Sequence, residues 1–355
     1  MHGNHAQRNT LLIILWLGLV GCIPAGLLPT STIAPPSVGP RQITENTLGL
    51  REYWRVSSSF VGDNLAAVPG RVVYTDHVSN VPHVRVLDAA NGDLLWEVVE
   101  KWGGHSVATD AERVYVEDHR VELRAYDIED GQKLWTRQFT PHRGRSYDLD
   151  GNKLYIQQGG NGEDYLYTID TQTGEILSTE SLWTADHFLV FARFPQFDLH
   201  ILTVQNPFTL RAVDPATQQT LWQVEQTPDL FIQNLTWPPV LLDDVLLIDT
   251  EWKVIAFDAQ SGQVRWRSPD PSGSPKTWFV TRSVLVGGSL YALRSDTRLV
   301  QLDARTGQEI GYIQFKPPLP DDKVYGGSNR LGLATDGQML FVSLDDSQEL
   351  IALGP

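Results

Sequence analysis

The chain has 355 residues, 41% of them hydrophobic and 20% charged, with a formal net charge of −15, so it carries ample apolar material for a core. The acidic balance argues against nonspecific nucleic-acid binding, which needs Lys and Arg to neutralise phosphates, and against electrostatic adhesion to anionic lipid. A single cysteine leaves no partner for an internal disulfide.

Residues 1–10 are polar with one Arg, and Leu11 to Val20 form an apolar run. That run is too short to span a bilayer and reads as the apolar region of a secretory signal over 1–21. Leu19-Val20-Gly21-Cys22 resembles the bacterial lipoprotein signal, in which the thiol is lipidated and cleavage leaves Cys22 first. Each buried methylene contributes about 0.8 kcal/mol, so the acyl chains of such an anchor hold firmly. This places the chain at the cell envelope, on the extracytoplasmic side of a bacterial membrane. Residues 22–47 come next, with Pro24, Pro29, Pro35, Pro36 and Pro40 and little charge. They read as a tether of about 80 Å if fully extended.

From residue 48 to 355 a repeat takes over. Asp88, Asp127, Asp170, Asp214, Asp258 and Asp303 recur at gaps of 39, 43, 44, 44 and 45 residues. Eight positions after four of them comes Trp96, Trp135, Trp222 or Trp266. Each period holds four short runs rich in Val, Tyr, Leu and Ile, bounded by Gly, Asp and Asn. In the second unit these are SVATD, RVYVED, VELRAYD and QKLWTRQF. Four strands per roughly 40–45 residues is the pattern of one propeller blade, with strands A to D from the centre outward. The Asp caps the C–D turn through its side chain. Gly92, Gly131, Gly174, Gly262 and Gly307 supply the positive φ there. Gln218 breaks the rule, either in left-handed geometry or in a longer turn. The four Trp rings read as packing between neighbouring blades.

The C-terminus adds MLFVSL and ELIAL, strands B and C of a seventh unit, with no strand D before Pro355. LREYWRVSS around Trp54, 42 residues before Trp96, is a strand D with no A–C before it. The expected fold is therefore all-β: a seven-bladed β-propeller of four-stranded blades, closed by the N-terminal strand completing the last blade.

VIAFDAQSGQVRW (254–266) and LRAYDIEDGQKLW (123–135) resemble the pyrroloquinoline quinone (PQQ)-type propeller repeat over residues 48–355. That family includes quinoprotein dehydrogenases and a non-catalytic lipoprotein of the outer-membrane β-barrel assembly machinery. The dehydrogenases carry a pair of adjacent cysteines over the cofactor, which one cysteine cannot supply, so the resemblance implies the second kind. No cofactor is implied.

No catalytic motif stands out: there is no G-x-S-x-G, H-E-x-x-H, Walker loop or C-x-x-C. Asp148, Asp150 and Asn152 imitate the start of a calcium loop but lack its distal Glu, and read as a hairpin. Asp243-Asp244 and Asp321-Asp322 read as turn or rim carboxylates. No metal site is expected.

The D–A connections are longer than the C–D turns and hold aromatic and basic residues on one face. They carry Trp102 and His105; His142, Arg143 and Arg145; Trp183 and His187; Phe231 and Trp237; Lys276 and Trp278; Tyr325 and Arg330. Function concentrates in loops on a rigid scaffold, and Trp, Tyr and Arg are favoured anchors. This face is expected to bind a protein partner, making the chain a non-enzymatic scaffold. The alternative is a lipoprotein that binds or senses a sugar or peptide; a quinoprotein enzyme ranks below both.

Overall fold

Short runs with apolar residues at alternate positions, cut by Gly- and Asp-marked turns, can bury one face of a strand and then reverse. In the computed structural model the described residues contain twenty-nine strands and no helix. They comprise residues 42–58, 64–78, 81–100, 104–118, 122–139, 143–160, 163–181, 188–194, 199–205, 208–214, 216–217, 219–225, 227, 239–250, 253–268, 281–316, 331–344 and 349–355.

Strand β1 is Gln42–Asn46 and β2 is Arg51–Ser57. The first sheet then holds β3 (Leu65–Val68), β4 (Arg71–Val78), β5 (Val81–Asp88) and β6 (Leu94–Val99). The second holds β7 (Gly104–Thr109), β8 (Arg113–Asp118), β9 (Glu122–Asp127) and β10 (Lys133–Gln138). The third is β11 (Arg143–Asp150), β12 (Lys153–Gly160), β13 (Glu163–Asp170) and β14 (Ile176–Ser181). The fourth is β15 (Phe188–Phe194), β16 (Leu199–Gln205), β17 (Phe208–Val213) and β18 (Thr220–Glu225). The fifth is β19 (Val240–Leu242), β20 (Val245–Asp249), β21 (Val254–Asp258) and β22 (Val264–Arg267). The sixth is β23 (Val284–Val286), β24 (Ser289–Leu293), β25 (Arg298–Asp303) and β26 (Glu309–Lys316). The last is β27 (Leu331–Thr335), β28 (Leu340–Leu344) and β29 (Glu349–Gly354).

Every sheet is an antiparallel meander, in chain order apart from the added β1 and β2. Six have four strands, and the sixth gains β1 as a fifth. The last sheet borrows its outer strand from the other end of the sequence: β2 pairs with β29, setting Trp54 opposite Ala352 and Arg55 opposite Ile351. The first strands of successive sheets touch each other, β27 with β3, β3 with β7, β11 with β15 and β23 with β27, so these strands are innermost. The architecture is an all-β propeller.

Its core lies between sheets. One apolar cluster joins Val84, Val86 and Trp96 of the first sheet to Val114, Val116 and Tyr126 of the second. Another joins Trp54, Phe341 and Leu350 of the last sheet to Val72, Tyr74 and Leu87 of the first. Burial at about 25 cal/mol per Å² of apolar surface makes these seams the main source of cohesion.

Two expectations need correction. The stretch 22–47 is not tether throughout, because Gln42–Asn46 is a strand. The sixth sheet is also not four-stranded, because β1 lies antiparallel on β26, Gln42 opposite Lys316 and Asn46 opposite Ile313. QITEN has one apolar residue, Ile43, half-buried among four exposed polar ones, so it carries no alternation to read. Thr47, the next residue, fixes it in place. Thr47 N–H donates to Tyr312 C=O (2.9 Å), and Tyr312 N–H donates to Thr47 Oγ1 (2.8 Å).

Candidate docking surface

The repeated Asp and Trp belong to one joint between sheets. Each Asp ends or directly follows a third strand, and its Oδ1 accepts turn N–H groups: from Ala90 at Asp88, Glu129 at Asp127, Thr173 at Asp170, Thr217 at Asp214, Ser261 at Asp258 and Thr306 at Asp303. At Asp170, Asp214, Asp258 and Asp303 these bonds favour the ionised form. The backbone N–H of Thr173 and that of Thr217 hold Asp170 and Asp214 below the usual carboxylate range, and the Thr306 hydroxyl does so for Asp303. At Asp258 the Arg265 guanidinium adds to this, and the pKa falls to about 2.

The ring that docks on each turn comes from the preceding sheet. Trp54, Trp96, Trp135, Trp222 and Trp266 donate Nε1–H to the carbonyls of Ala89, Ile128, Thr171, Ala259 and Ala304, at 2.8 to 3.1 Å. Each acceptor directly follows the repeat Asp of the next sheet. The turn glycine lies against the ring. A Cβ on Gly131, at φ +72, would come 2.7 Å from the Trp96 ring, and Gly92, Gly174, Gly262 and Gly307 meet their rings at 2.4 to 2.8 Å. The sequence had accounted for the φ but not the contact. A signal was present: the third unit has Ser178 where Trp is expected, and the turn it would face carries Gln218 instead of Gly. Gln218 lies outside the described residues, but Asp214 N–H donates to Gln219 C=O at 2.9 Å. Asp88 to Asp93 makes the same bond, so the longer turn does not occur.

The sixth unit has Gly311 at the Trp position, and the last sheet has no C–D turn for a ring to meet. Leu48 Cδ2 and Thr47 Oγ1 occupy the space, each 2.7 Å from where a Gly311 Cβ would stand.

The anticipated loop residues fall mainly outside the described residues: Trp102, His142, Trp183, His187, Phe231, Trp237, Lys276, Trp278, Tyr325 and Arg330, together with Cys22. Three are placed by backbone. His105 lies in β7 between Gly104 and Ser106, where the register shifts. Arg143 opens β11 opposite Gly159, and Arg145 lies at a second such shift between Gly144 and Ser146. Both irregularities occur where an innermost strand begins, next to the D–A connections; bulges recur at such rims.

At that end of the first sheet the structure adds what sequence reasoning missed. Val78 and Val81, paired across the β4–β5 turn, are 38% and 40% exposed, and Val99 of β6 is 60% exposed. Below them Asp76 is fully buried with Arg85 Nη1 3.1 Å from its carboxylate, and Arg85 Nε donates to Glu97 Oε2 (3.1 Å). Burial raises the Tyr74 pKa, partly offset by its hydrogen bond with Arg85. At the seam to the second sheet Arg124 Nη1 donates to Glu100 Oε2 at 2.6 Å, and the Tyr126 hydroxyl donates to the same carboxylate.

Elsewhere, Asp243 and Asp244 form the β19–β20 turn, with Asp243 at φ 52. Their carboxylates meet Arg305 and Arg265, which makes them rim carboxylates. Asp148 and Asp150 lie in the β11–β12 hairpin. Among the described residues no group of three or more His, Cys, Asp or Glu could hold a metal ion. Arg282, just before β23, is solvent-accessible yet enclosed, and burial lowers its pKa against the pull of Asp249 and Asp148.

A repeat of this geometry identifies a family. The family model described as outer membrane protein assembly factor BamB matches residues 51–188 and 143–354. The chain belongs to that family. The crystal structure of BamB from Moraxella catarrhalis superposes with a TM-score of 0.56 at 15% identity, over 86% of this chain and 100% of the other. That likeness shows the fold. An uncharacterized protein of Rickettsia prowazekii (strain Madrid E) is 21% identical over 267 residues, which is 68% of this chain and 57% of that protein. The match thus spans little more than half the length of this relative.

Proposed function

We propose that the chain is a non-enzymatic scaffold, held by a lipid at Cys22 to the extracytoplasmic side of a bacterial membrane, that docks a protein partner on its D–A face. Its seven sheets act as the seven blades of one ring, with β2 as the closing strand. The observation that carries the docking role is the exposed apolar corner of Val78, Val81 and Val99, beside the connection that holds Trp102 and on a scaffold whose seams are buried and hydrogen-bonded. Membership of a family described as an assembly factor supports a role through protein contact rather than turnover. The Moraxella catarrhalis structure of like fold bears the same name, and what that protein assembles with guides the choice of candidate partners here.

The test is a pair of variants. Cys22→Ser should move the protein from the membrane to the soluble fraction and abolish incorporation of labelled palmitate. Alanine at Trp102, Trp183 and Trp278 together should abolish in-cell cross-links to the partner while leaving the thermal unfolding midpoint in place. A protein still membrane-bound without Cys22 defeats the anchor; cross-links that survive the triple variant defeat the docking face.

A further inference from the structure

The outer edges of the sheets differ in how they are guarded. Unpaired edge strands are templates for another chain, and proteins shield them with charge, especially Lys. Strand β10 carries Lys133 and Arg137, β22 has Arg265 and Arg267, and β2 has Arg51, Glu52 and Arg55. Strands β14 and β18 dilute their apolar residues with Ser, Thr and Gln. Strand β6 reads LLWEVV, with five apolar residues in six. Leu94 and Leu95 are 51% and 40% exposed, like Val99 on the same strand.

The phase of its backbone is fixed. Glu100 N–H donates inward to Pro82 C=O at 2.8 Å, next to the pairs His83 with Val99 and Arg85 with Glu97. In an antiparallel ladder successive residues alternate inward and outward, so Glu97 and Val99 present their N–H and C=O groups away from the sheet. β6 ends the sheet order, and among the described residues no strand pairs with that side.

We infer that the outer edge of β6 takes up an extended segment of a partner protein in which apolar and basic residues alternate. The fold already shows an added strand at an equivalent edge, where β1 lies on β26. The charge of the occupant is set by Glu97. Arg85 Nε and His83 Nδ1 both approach its Oε2, at 3.1 and 3.5 Å, and its Oε1 has no hydrogen bond or ion pair among the described residues. A second copy of this chain is disfavoured: it would bring Glu97 near Glu97 between two molecules of −15 each. This site shares Val99 with the apolar corner of the D–A face, but it is read by backbone pairing along β6 and the face by Trp102, Trp183 and Trp278, so either can fail without the other.

The probe is the peptide acetyl-Lys-Val-Lys-Val-Lys-Val-amide, with a Glu-for-Lys version as control, added to the full chain. Amide hydrogen exchange read by NMR should slow about tenfold or more at Glu97 and Val99 with the basic peptide, and not with the acidic one. Glu97→Lys should reverse that preference. Val99→Pro removes an outward N–H and no inward bond, so it should abolish protection while the unfolding midpoint holds. Alanine at Trp102, Trp183 and Trp278 should leave the protection unchanged. No protection at Glu97 and Val99, equal protection by both peptides, undiminished binding to Val99→Pro, or concentration-dependent dimers in sedimentation would each overturn the proposal.

Discussion

At the scale of single residues the joint between sheets decides most. Gly131 is required twice, once for its φ of +72 and once because a Cβ would enter the Trp96 ring. Gly70, at φ +81, has nothing within 4 Å of its Cβ position. Gly70→Ala should therefore cost only the left-handed penalty, about 1–2 kcal/mol. Gly131→Ala should add an overpacking term of about 1–3 kcal/mol, and urea unfolding compares the two. If the ring contact is the cause, pairing Gly131→Ala with Trp96→Ala should give a sum below additivity. Trp96→Phe keeps most of the packing but leaves Ile128 C=O without its indole donor, so a loss of about 1–3 kcal/mol is expected in the same assay. The sequence displayed both residue types at fixed places in most units. It did not display that they touch, because partners about 35 residues apart belong to different repeats.

Among elements, the capped turns give the fold a defined acid sensitivity. Asp258 has a folded pKa of about 2, below the ordinary value of about 3.9, and Asp170, Asp214 and Asp303 are shifted the same way. A lowered carboxylate pKa contributes stability that is complete above the unfolded value and is lost as pH falls through the folded one. Stability should thus decline from about pH 4 toward pH 2, and Asp258→Asn should flatten part of that slope in acid unfolding curves. Because Asp258 is near the surface, salt should weaken the Arg265 share. Asp249 has the opposite sign: burial raises its pKa against two bonds from Ser283, so its contribution is greatest at low pH and fades as pH rises through the folded value. At the sixth sheet, Gly311→Ala drives a methyl into Leu48 and Thr47. A cost of about 1–3 kcal/mol and faster exchange of the Thr47 amide should result if those residues replace the missing Trp. Strand β1 itself was illegible beforehand, because four polar, exposed residues around the single Ile43 take their conformation from β26 and not from their own pattern.

For the whole molecule, period and turn chemistry revealed the meander of each sheet, and the unpaired Trp54 segment revealed the borrowed strand. The loop face was legible only as composition, since the backbone of a connection is set by what it packs on. Val78, Val81 and Val99 were invisible as a group, because nothing in three valines marks them as uncovered. The borrowed strand brings the two ends of the fold together: Tyr53 OH donates to Pro355 C=O at 2.8 Å. A permutant that joins Pro355 to Gly49 through a short linker and opens the exposed Gly287–Gly288 turn should fold to the same circular dichroism spectrum. It should also refold faster in stopped-flow, because β2 and β29 become local. An unchanged rate would mean that their pairing is not limiting.

The distance between those two strands has a consequence for the chain as it is made. Arg51 pairs with Gly354, so at roughly 5–20 residues per second β2 waits about 15–60 s for its partner to be synthesised. Throughout that interval Trp54, 8% exposed in the fold, lacks the strand it pairs with. Until β29 is made β2 has no sheet to join, and the arrival of β29 acts as the latch.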